Sequence, residues 1–262
     1  MRFRDRKVVV TGACGVFGTW IAEAFAREGA TLCLSDMRGD DVAALAARLG
    51  VGTLSHATEL MDDSSMLGLV RLVEERWGAP DVLVNNAGVY PRGLMLDIPF
   101  AEWDRIMGVN LRAPFVLTRE MARLMVARGT KGSIVNISSG AARRMRNGSA
   151  PYCISKTALE RLSKGMALEL AEHGIRVNTV EPGFAPGSKV NPLSDAYVAK
   201  MAKGIPLQRT SGPGDAPEAV LFLCSDQAGF VTGATLSVDG GNSIGTFEPG
   251  PLKDDDLRRP AR

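Results

Sequence analysis

The stretch Thr11-Gly12-Ala13-Cys14-Gly15-Val16-Phe17-Gly18 follows the short apolar run Lys7–Thr11 and opens an amphipathic segment, Phe17–Glu28. A β-branched run, a glycine-rich turn and then a helical pattern make a strand–loop–helix unit. Free backbone N–H groups at such a helix start can meet a pyrophosphate, and glycine is needed where a side chain would block the phosphates or the helix–sheet packing. The first strand is therefore expected to feed a phosphate loop built from Gly12, Gly15, Val16, Phe17 and Gly18.

Outward from this unit the same alternation continues to the far end of the chain. Strands are expected at Lys7–Thr11, Thr31–Ser35, Gly52–His56, Val82–Asn85, Ser133–Ser138, Arg176–Val180 and Thr235–Val238. Helices are expected at Phe17–Glu28, Asp41–Leu49, Ser64–Trp77, Ala101–Arg128, Pro151–Glu172 and Pro217–Cys224. Strands alternating with helices imply a parallel sheet covered on both faces, and right-handed crossovers make it doubly wound. The expectation is an α/β fold of Rossmann type: one domain, a three-layer sandwich around a seven-stranded parallel sheet. That domain covers 1–241, with a substrate loop at about 184–211. A tail, 242–262, carries Pro249, Gly250, Pro251 and Asp254-Asp255-Asp256, and is expected to be disordered or laid over a neighbouring subunit.

Composition narrows the function classes. The chain has 262 residues, 45% hydrophobic and 23% charged, with a formal net charge of +2, enough to bury one sizeable core. No run of like charge suits nucleic acid, and no segment approaches the ~20 apolar residues of a membrane span. The basic start leads only into Val8-Val9-Val10, too short for a signal-peptide core. Cys14, Cys33, Cys153 and Cys224 form no Cys-x-x-Cys pair, which suits reduced thiols in the cytoplasm, and no metal is expected.

Asp36 stands at the end of the second strand, 18 residues beyond Gly18, where a carboxylate can accept both ribose hydroxyl protons of NAD and repel the 2′-phosphate of NADP. The bland alternative is an Asp that caps the following turn. Arg38 keeps NADP open, but no basic residue lies in the glycine loop, so NAD is favoured.

Tyr152 and Lys156 stand four apart at the start of a helix that Ser149 could cap, so they share one face. Ser139 lies thirteen residues before Tyr152, at the C-terminal end of a strand, the edge where open α/β sheets bind ligands. A phenol near pKa 10 needs about three pKa units of help, or ~4 kcal/mol, to act as a base at neutral pH. The Lys156 ammonium, the helix start and an oxidised nicotinamide can supply it together.

With these residues in view, the chain from Lys7 to Gly241 resembles the short-chain dehydrogenase/reductase family in its roughly 250-residue form. Asn85-Asn86-Ala87-Gly88, Asn110, Ser139, Tyr152, Lys156, Arg176-Val177-Asn178, Glu181-Pro182-Gly183 and Asp239-Gly240-Gly241 match its motifs in order. The resemblance implies that Asn86, Ala87 and Gly88 support the adenosine side of the cofactor and that Asn110 holds a relay water near Lys156. It implies that Ser139 is the catalytic serine, Tyr152 the acid/base and Lys156 the ribose-binding lysine, with Pro182 and Gly183 passing beneath the nicotinamide.

Three departures accompany it. The glycine loop reads Thr-Gly-x-x-Gly-x-x-Gly, with Val16 where the short form has glycine, a spacing similar to the branch holding epimerases and dehydratases. Glu59-Leu60 replaces Asp-Val beside the adenine, and Gly187 replaces a threonine near the carboxamide.

The reaction so implied is NAD-dependent oxidation of a secondary alcohol or reduction of the ketone. Epimerase or dehydratase chemistry and a non-catalytic NAD-binding module are the alternatives. Tyr90, Ala141, Phe184 and Arg144 are expected to line the substrate side. Arg143, Arg144 and Arg146 could clamp an anionic, carboxylated substrate, or form a solvated cluster, or pair with acids across an interface. The resemblance implies a homotetramer, with a dimer second, paired through Ala101–Arg128 and Pro151–Glu172.

Overall fold

The computed structural model describes residues 1–188 and 192–245. The expected tail beyond residue 245, and residues 189–191 of the expected substrate loop, lie outside that range. Seven strands form one sheet: β1 (Lys7–Thr11), β2 (Thr31–Asp36), β3 (Leu54–Ala57), β4 (Val82–Asn85), β5 (Ser133–Ile137), β6 (Arg176–Pro182) and β7 (Thr235–Val238). Their order is β3-β2-β1-β4-β5-β6-β7 and every pairing is parallel. The chain runs outward from β1 to β3, then returns to the other side of β1 with β4. That reversal opens a crevice at the C-terminal ends of β1 and β4, the place where such sheets take ligands.

The helices are α1 (Val16–Arg27), α2 (Gly39–Leu49), α3 (Asp63–Trp77), α4 (Phe100–Met107), α5 (Ala113–Ala127), α6 (Ala150–Leu170), α7 (Asp195–Lys203) and α8 (Ala216–Cys224). Alternate residues of the strands face opposite layers, so both faces of the sheet are apolar. Val8, Val10, Leu32 and Leu34 pack with Ile21, Phe25, Val42 and Val220 on one side. Val9, Leu83, Ile134 and Val177 pack with Met66, Leu69, Leu117 and Met121 on the other.

Some boundaries differ from the sequence expectation. The expected helix over 101–128 is three pieces, because Gly108–Arg112 between α4 and α5 is a π-helical segment. Helix α7 forms inside the expected substrate loop, started by Ser194, whose hydroxyl accepts from Tyr197 N. Ser149 occupies the N-cap position of α6, but its side chain makes no capping bond; Pro151 in the first turn supplies the helical φ instead.

Candidate active site

The phosphate loop folds back on the chain that follows β4. Gly12 has φ +61°, and a Cβ there would stand 2.7 Å from Ala87 Cα. A Cβ on Gly18 would stand 2.0 Å from the Gly12 carbonyl oxygen and 2.7 Å from Asn86 Nδ2. Asn86 Nδ2 donates to the carbonyls of Thr11 and Gly12, at 3.0 and 2.9 Å. Thr11 Oγ1 in turn accepts from Asn86 N and Ala87 N. Thr11 thus completes a clamp that glycine spacing alone did not suggest.

Gly15 is the N-cap of α1, which has no side-chain cap and no acidic residue in its first turn. The helix start, with Val16, Phe17 and Gly18, is therefore a cradle of backbone N–H groups and positive dipole with no acidic residue in its own first turn. A dinucleotide pyrophosphate fits such a cradle, and the shifted glycine leaves it intact.

Asp36 is buried at the end of β2. Its Oδ2 accepts from Cys14 N at 3.0 Å, and its Oδ1 accepts from Arg38 N and Nε at 3.2 and 3.1 Å. Arg38 also pairs with Asp41 at 3.1 Å. Hydrogen bonding to Asp36 is the main reason its guanidinium is held above its ordinary pKa. Glu59 is exposed, and its Oε1 accepts from Met61 N at 3.0 Å, so one oxygen is spent on its own turn beside Leu60.

Ser139, Tyr152, Lys156 and Asn110 meet at the C-terminal edge of β4 and β5. Asn110 lies fully buried in the π segment; its Oδ1 accepts from Val89 N at 2.8 Å, while Nδ2 donates to Val89 O at 2.8 Å and Ser155 Oγ at 3.1 Å. Lys156 Nζ donates to Ile137 O at 2.8 Å and stands 5.9 Å from the Tyr152 ring centroid. Gly88 separates these groups: a Cβ there would stand 3.3 Å from Asn110 Oδ1 and 3.5 Å from Lys156 Nζ. Ser155 is a further member that the sequence reading did not single out.

Burial raises the Tyr152 phenol above its ordinary pKa, while a hydrogen bond from Ser139 and the charge of Arg146 pull it down. Burial pushes the Lys156 ammonium down to about 8. Ser139 Oγ also accepts from Ala141 N at 3.2 Å, which starts a short turn over Gly140–Ala142.

On the open side, the rings of Tyr90 and Tyr152 meet edge to face at 6.3 Å, and those of Phe184 and Tyr197 do the same at 6.3 Å. Tyr197 lies on α7, inside the segment where the sequence pattern predicts a substrate loop. Beyond Pro182, a Cβ on Gly183 would stand 2.9 Å from both Asp239 Cα and Ser211 Oγ, so glycine lets the ends of β6 and β7 close together. Gly187 has φ +99° with open space around it.

The three arginines part company. Arg143 is bound within its own chain, 2.6 Å from Glu181 Oε2, and so is not part of a substrate clamp. Arg144 and Arg146 are exposed and have no carboxylate partner among the described residues. No group of three or more potential metal ligands exists among the described residues.

A family profile described as enoyl-(acyl carrier protein) reductase matches residues 12–243. The chain is 31% identical to galactitol 2-dehydrogenase of Agrobacterium fabrum, over 92% of this chain and 99% of that protein. It is 35% identical to cis-4-hydroxycyclohexanecarboxylate dehydrogenase of Sinomonas cyclohexanicum, over 91% and 97% of the two. Among solved structures, 3-ketoacyl-(acyl-carrier-protein) reductase from Brucella melitensis complexed with NADH superposes with a TM-score of 0.84 at 32% identity, covering 92% of this chain and 99% of that one.

Proposed function

The chain belongs to the short-chain dehydrogenase/reductase family of oxidoreductases, and we propose that it is an NAD-dependent enzyme moving a hydride between the nicotinamide and a secondary alcohol or its ketone. The observation that carries this reading is the gathering at the sheet edge of Tyr152 and Lys156, whose Nζ stands 5.9 Å from the phenol ring, with Asn110 packed beside Lys156 at Gly88 and Ser139 next to Tyr152.

The bound dinucleotide supplies the hydride acceptor, and the chain supplies the rest. Gly12, Gly15, Val16, Phe17 and Gly18 take the pyrophosphate, Asp36 the ribose hydroxyls, and Glu59 and Leu60 flank the adenine. Asn86, Ala87 and Gly88 would support the adenosine side, and Pro182 and Gly183 would help hold the nicotinamide end. Ser139 holds the substrate oxygen while Tyr152 takes its proton. Lys156 is still cationic at neutral pH, since burial leaves it at about 8, and its charge favours the phenolate. Asn110 anchors the relay side of Lys156.

NAD is preferred over NADP because Asp36 would repel a 2′-phosphate, and the guanidinium beside it, Arg38, is already engaged by Asp36 and Asp41. Tyr90, Ala141 and Phe184 give the substrate side a partly apolar wall. Exposed Arg144 and Arg146 suit a carboxylated alcohol, a class that includes the substrate named for the Sinomonas relative.

We assign the enzyme to the cytoplasm as a homotetramer, with a dimer as the second choice. No described helix is long and apolar enough to cross a membrane. Burial pushes the Cys33 and Cys224 thiols up to about 12, which makes them inert packing residues. A shallow apolar hollow lined by Met61, Met107, Leu111, Phe115 and Leu162 spans the helices expected to pair between subunits.

The test is NADH formation, one per alcohol consumed, across cyclic, aromatic, sugar and hydroxy-acid alcohols. Tyr152→Phe should still bind NADH by fluorescence yet lose ~10³-fold or more in kcat, because only the ionisable oxygen is gone. A variant keeping a large share of the rate would remove Tyr152 from the acid/base role.

A further inference from the structure

The chain that leaves β4 is pinned at the rim of the cleft on both sides of Arg92. Before it, the Tyr90 ring meets the Tyr152 ring edge to face at 6.3 Å. After it, Gly93 N donates to Gly148 O at 2.9 Å, on a turn that Ser149 N closes by donating to Arg146 O at 3.0 Å. Arg92 is thus exposed yet held beside the acid/base phenol. Its Nη2 reaches across the mouth of the cleft and donates to Tyr197 Oη of α7 at 3.5 Å. Tyr197 in turn meets Phe184, just beyond Pro182-Gly183, edge to face at 6.3 Å. Contacts therefore run around the rim from Tyr152 to Tyr90, along the chain to Arg92, and through Tyr197 to Phe184.

The hydride-transfer chemistry gives Arg92 nothing to do. Among the described residues no carboxylate pairs with it, and its partner is a neutral phenol at the outer limit of hydrogen bonding. Asp97 on the same segment and Asp195 on α7 are exposed, and neither is joined to it. A guanidinium offers several N–H donors in a planar fork that matches a carboxylate, and a phenol that accepts one hydrogen bond keeps its own O–H to give. Arg92 and Tyr197 thus bring donors to one place together with a positive charge that no described group balances. A molecule that reaches from Ser139 and Tyr152 to that place has to pass the Tyr90 ring.

We propose that Arg92 and Tyr197 determine substrate specificity by receiving a carboxylate that the substrate carries at a distance from its carbinol. The class is a hydroxy acid, or the matching keto acid, with an apolar body between its two polar ends. An alpha-hydroxy acid is too short, because Tyr90 stands between Tyr152 and Arg92. The assignment rests on the dehydrogenase reading for the chemistry at the carbinol, but not for the binding of the anion. The guanidinium donates to the carboxylate and Tyr197 donates beside it, and an anion is a stronger acceptor than the phenol it displaces from Arg92. Arg146, on the turn bonded to Gly93, adds attraction at longer range. Helix α7 buries none of its residues, so contacts such as this one hold it over the cleft.

Two pairs of probes test it. In turnover, methyl phenyl carbinol bearing a para carboxylate is compared with the same carbinol bearing a para carboxamide; in binding, benzoate is compared with benzamide by saturation-transfer NMR on the cofactor-loaded protein. The wild type should favour the carboxylate about tenfold in kcat/KM, mostly through KM, and Arg92→Gln should bring the two carbinols within about twofold. Arg92→Lys should keep part of the preference, since it keeps the charge and loses the fork. Tyr197→Phe should lose about threefold of it, the share of one hydroxyl donor. Kd for benzoate should weaken about tenfold in Arg92→Gln while that for benzamide moves much less, whether or not any alcohol is oxidised. A carboxylate preference that survives Arg92→Gln, or benzoate bound equally by wild type and Arg92→Gln, would overturn the proposal. Failure of the dehydrogenase reading looks different: no alcohol reduces NAD, while benzoate binding still depends on Arg92. If Arg92→Gln failed to fold, benzoate bound as tightly by Tyr197→Phe as by the wild type would also overturn it.

Discussion

Lys156 donates its ammonium to the carbonyl oxygen of Ile137 at 2.8 Å, so the side chain assigned to the cofactor ribose is also the link between α6 and the end of β5. Burial pushes that ammonium down to about 8 from 10.5. Between those values the unfolded chain keeps a proton that the folded chain has lost, so stability rises with pH across the window. Below about 8 both states are protonated and the cost of burying the charge is carried in full. The melting temperature of wild type minus that of Lys156→Met should therefore climb from pH 8 to pH 10.5. A flat difference would place the ammonium in a better-solvated setting.

Cofactor preference follows from Asp36. kcat/KM with NAD should exceed that with NADP by about 100-fold or more in the wild type. Asp36→Ala should narrow the gap about tenfold, because it removes the repulsion and releases Arg38 from one of its two carboxylate partners. Comparable efficiencies with both cofactors in the wild type would mean that Arg38 already offsets the carboxylate.

The arginines after Ser139 should separate in experiment as they do in space. Arg144→Ala and Arg146→Ala should raise KM for carboxylated alcohols and leave neutral ones nearly unchanged, and added salt should blunt the difference by screening. Arg143→Ala should instead lower stability by about 1–3 kcal/mol, because it leaves the buried Glu181 short of its main donors. Equal KM changes for charged and neutral substrates would assign Arg144 and Arg146 to the solvated surface.

The proposed tetramer would pair through the apolar hollow around Phe115, which is 41% exposed in the single chain and flanked by Met61, Leu111 and Leu162. Phe115→Glu should lower the mass seen by light scattering toward the single-chain value of 27.9 kDa, with the wild type near four times that. A wild type that already scatters as one chain would refute the tetramer.

Much of the sheet was readable because β1, β4, β5 and β6 are short runs rich in β-branched residues and buried on both faces. In contrast, β3 (Leu54–Ala57) holds none, is only partly buried and starts two residues later than its sequence pattern predicts. Motifs with fixed spacing, such as Tyr152 with Lys156, were readable because one turn of helix brings them together. Asp36 showed in sequence as the residue after a strand, and it proves to be the strand's last member. Contacts between distant segments were not readable. Arg143 and Glu181 look in sequence like one of an arginine cluster and part of a Glu-Pro-Gly turn, and only the approach of β6 to the segment after β5 makes them neighbours. Helix α7 was hidden because its segment is rich in Gly and Pro at both ends, while its start is set locally by the Ser194 cap.

The π segment at Gly108–Arg112 puts one surplus residue into an otherwise continuous helical rod. Since an α-helix turns about 100° per residue, the surplus sets everything after it back by about that angle relative to a regular helix of the same sequence. A helical wheel drawn from Phe100 through Ala127 with a single phase thus assigns the wrong face to one half. The same phase step is what lets Asn110 face Val89 and Ser155 while Leu117 and Met121 still face the sheet. If the same residues were forced into a regular helix, the rod would have to choose between keeping its packing against the sheet and keeping Asn110 against Val89. Deleting one residue here would instead leave both halves on their present faces and lose only the widened turn that carries Asn110.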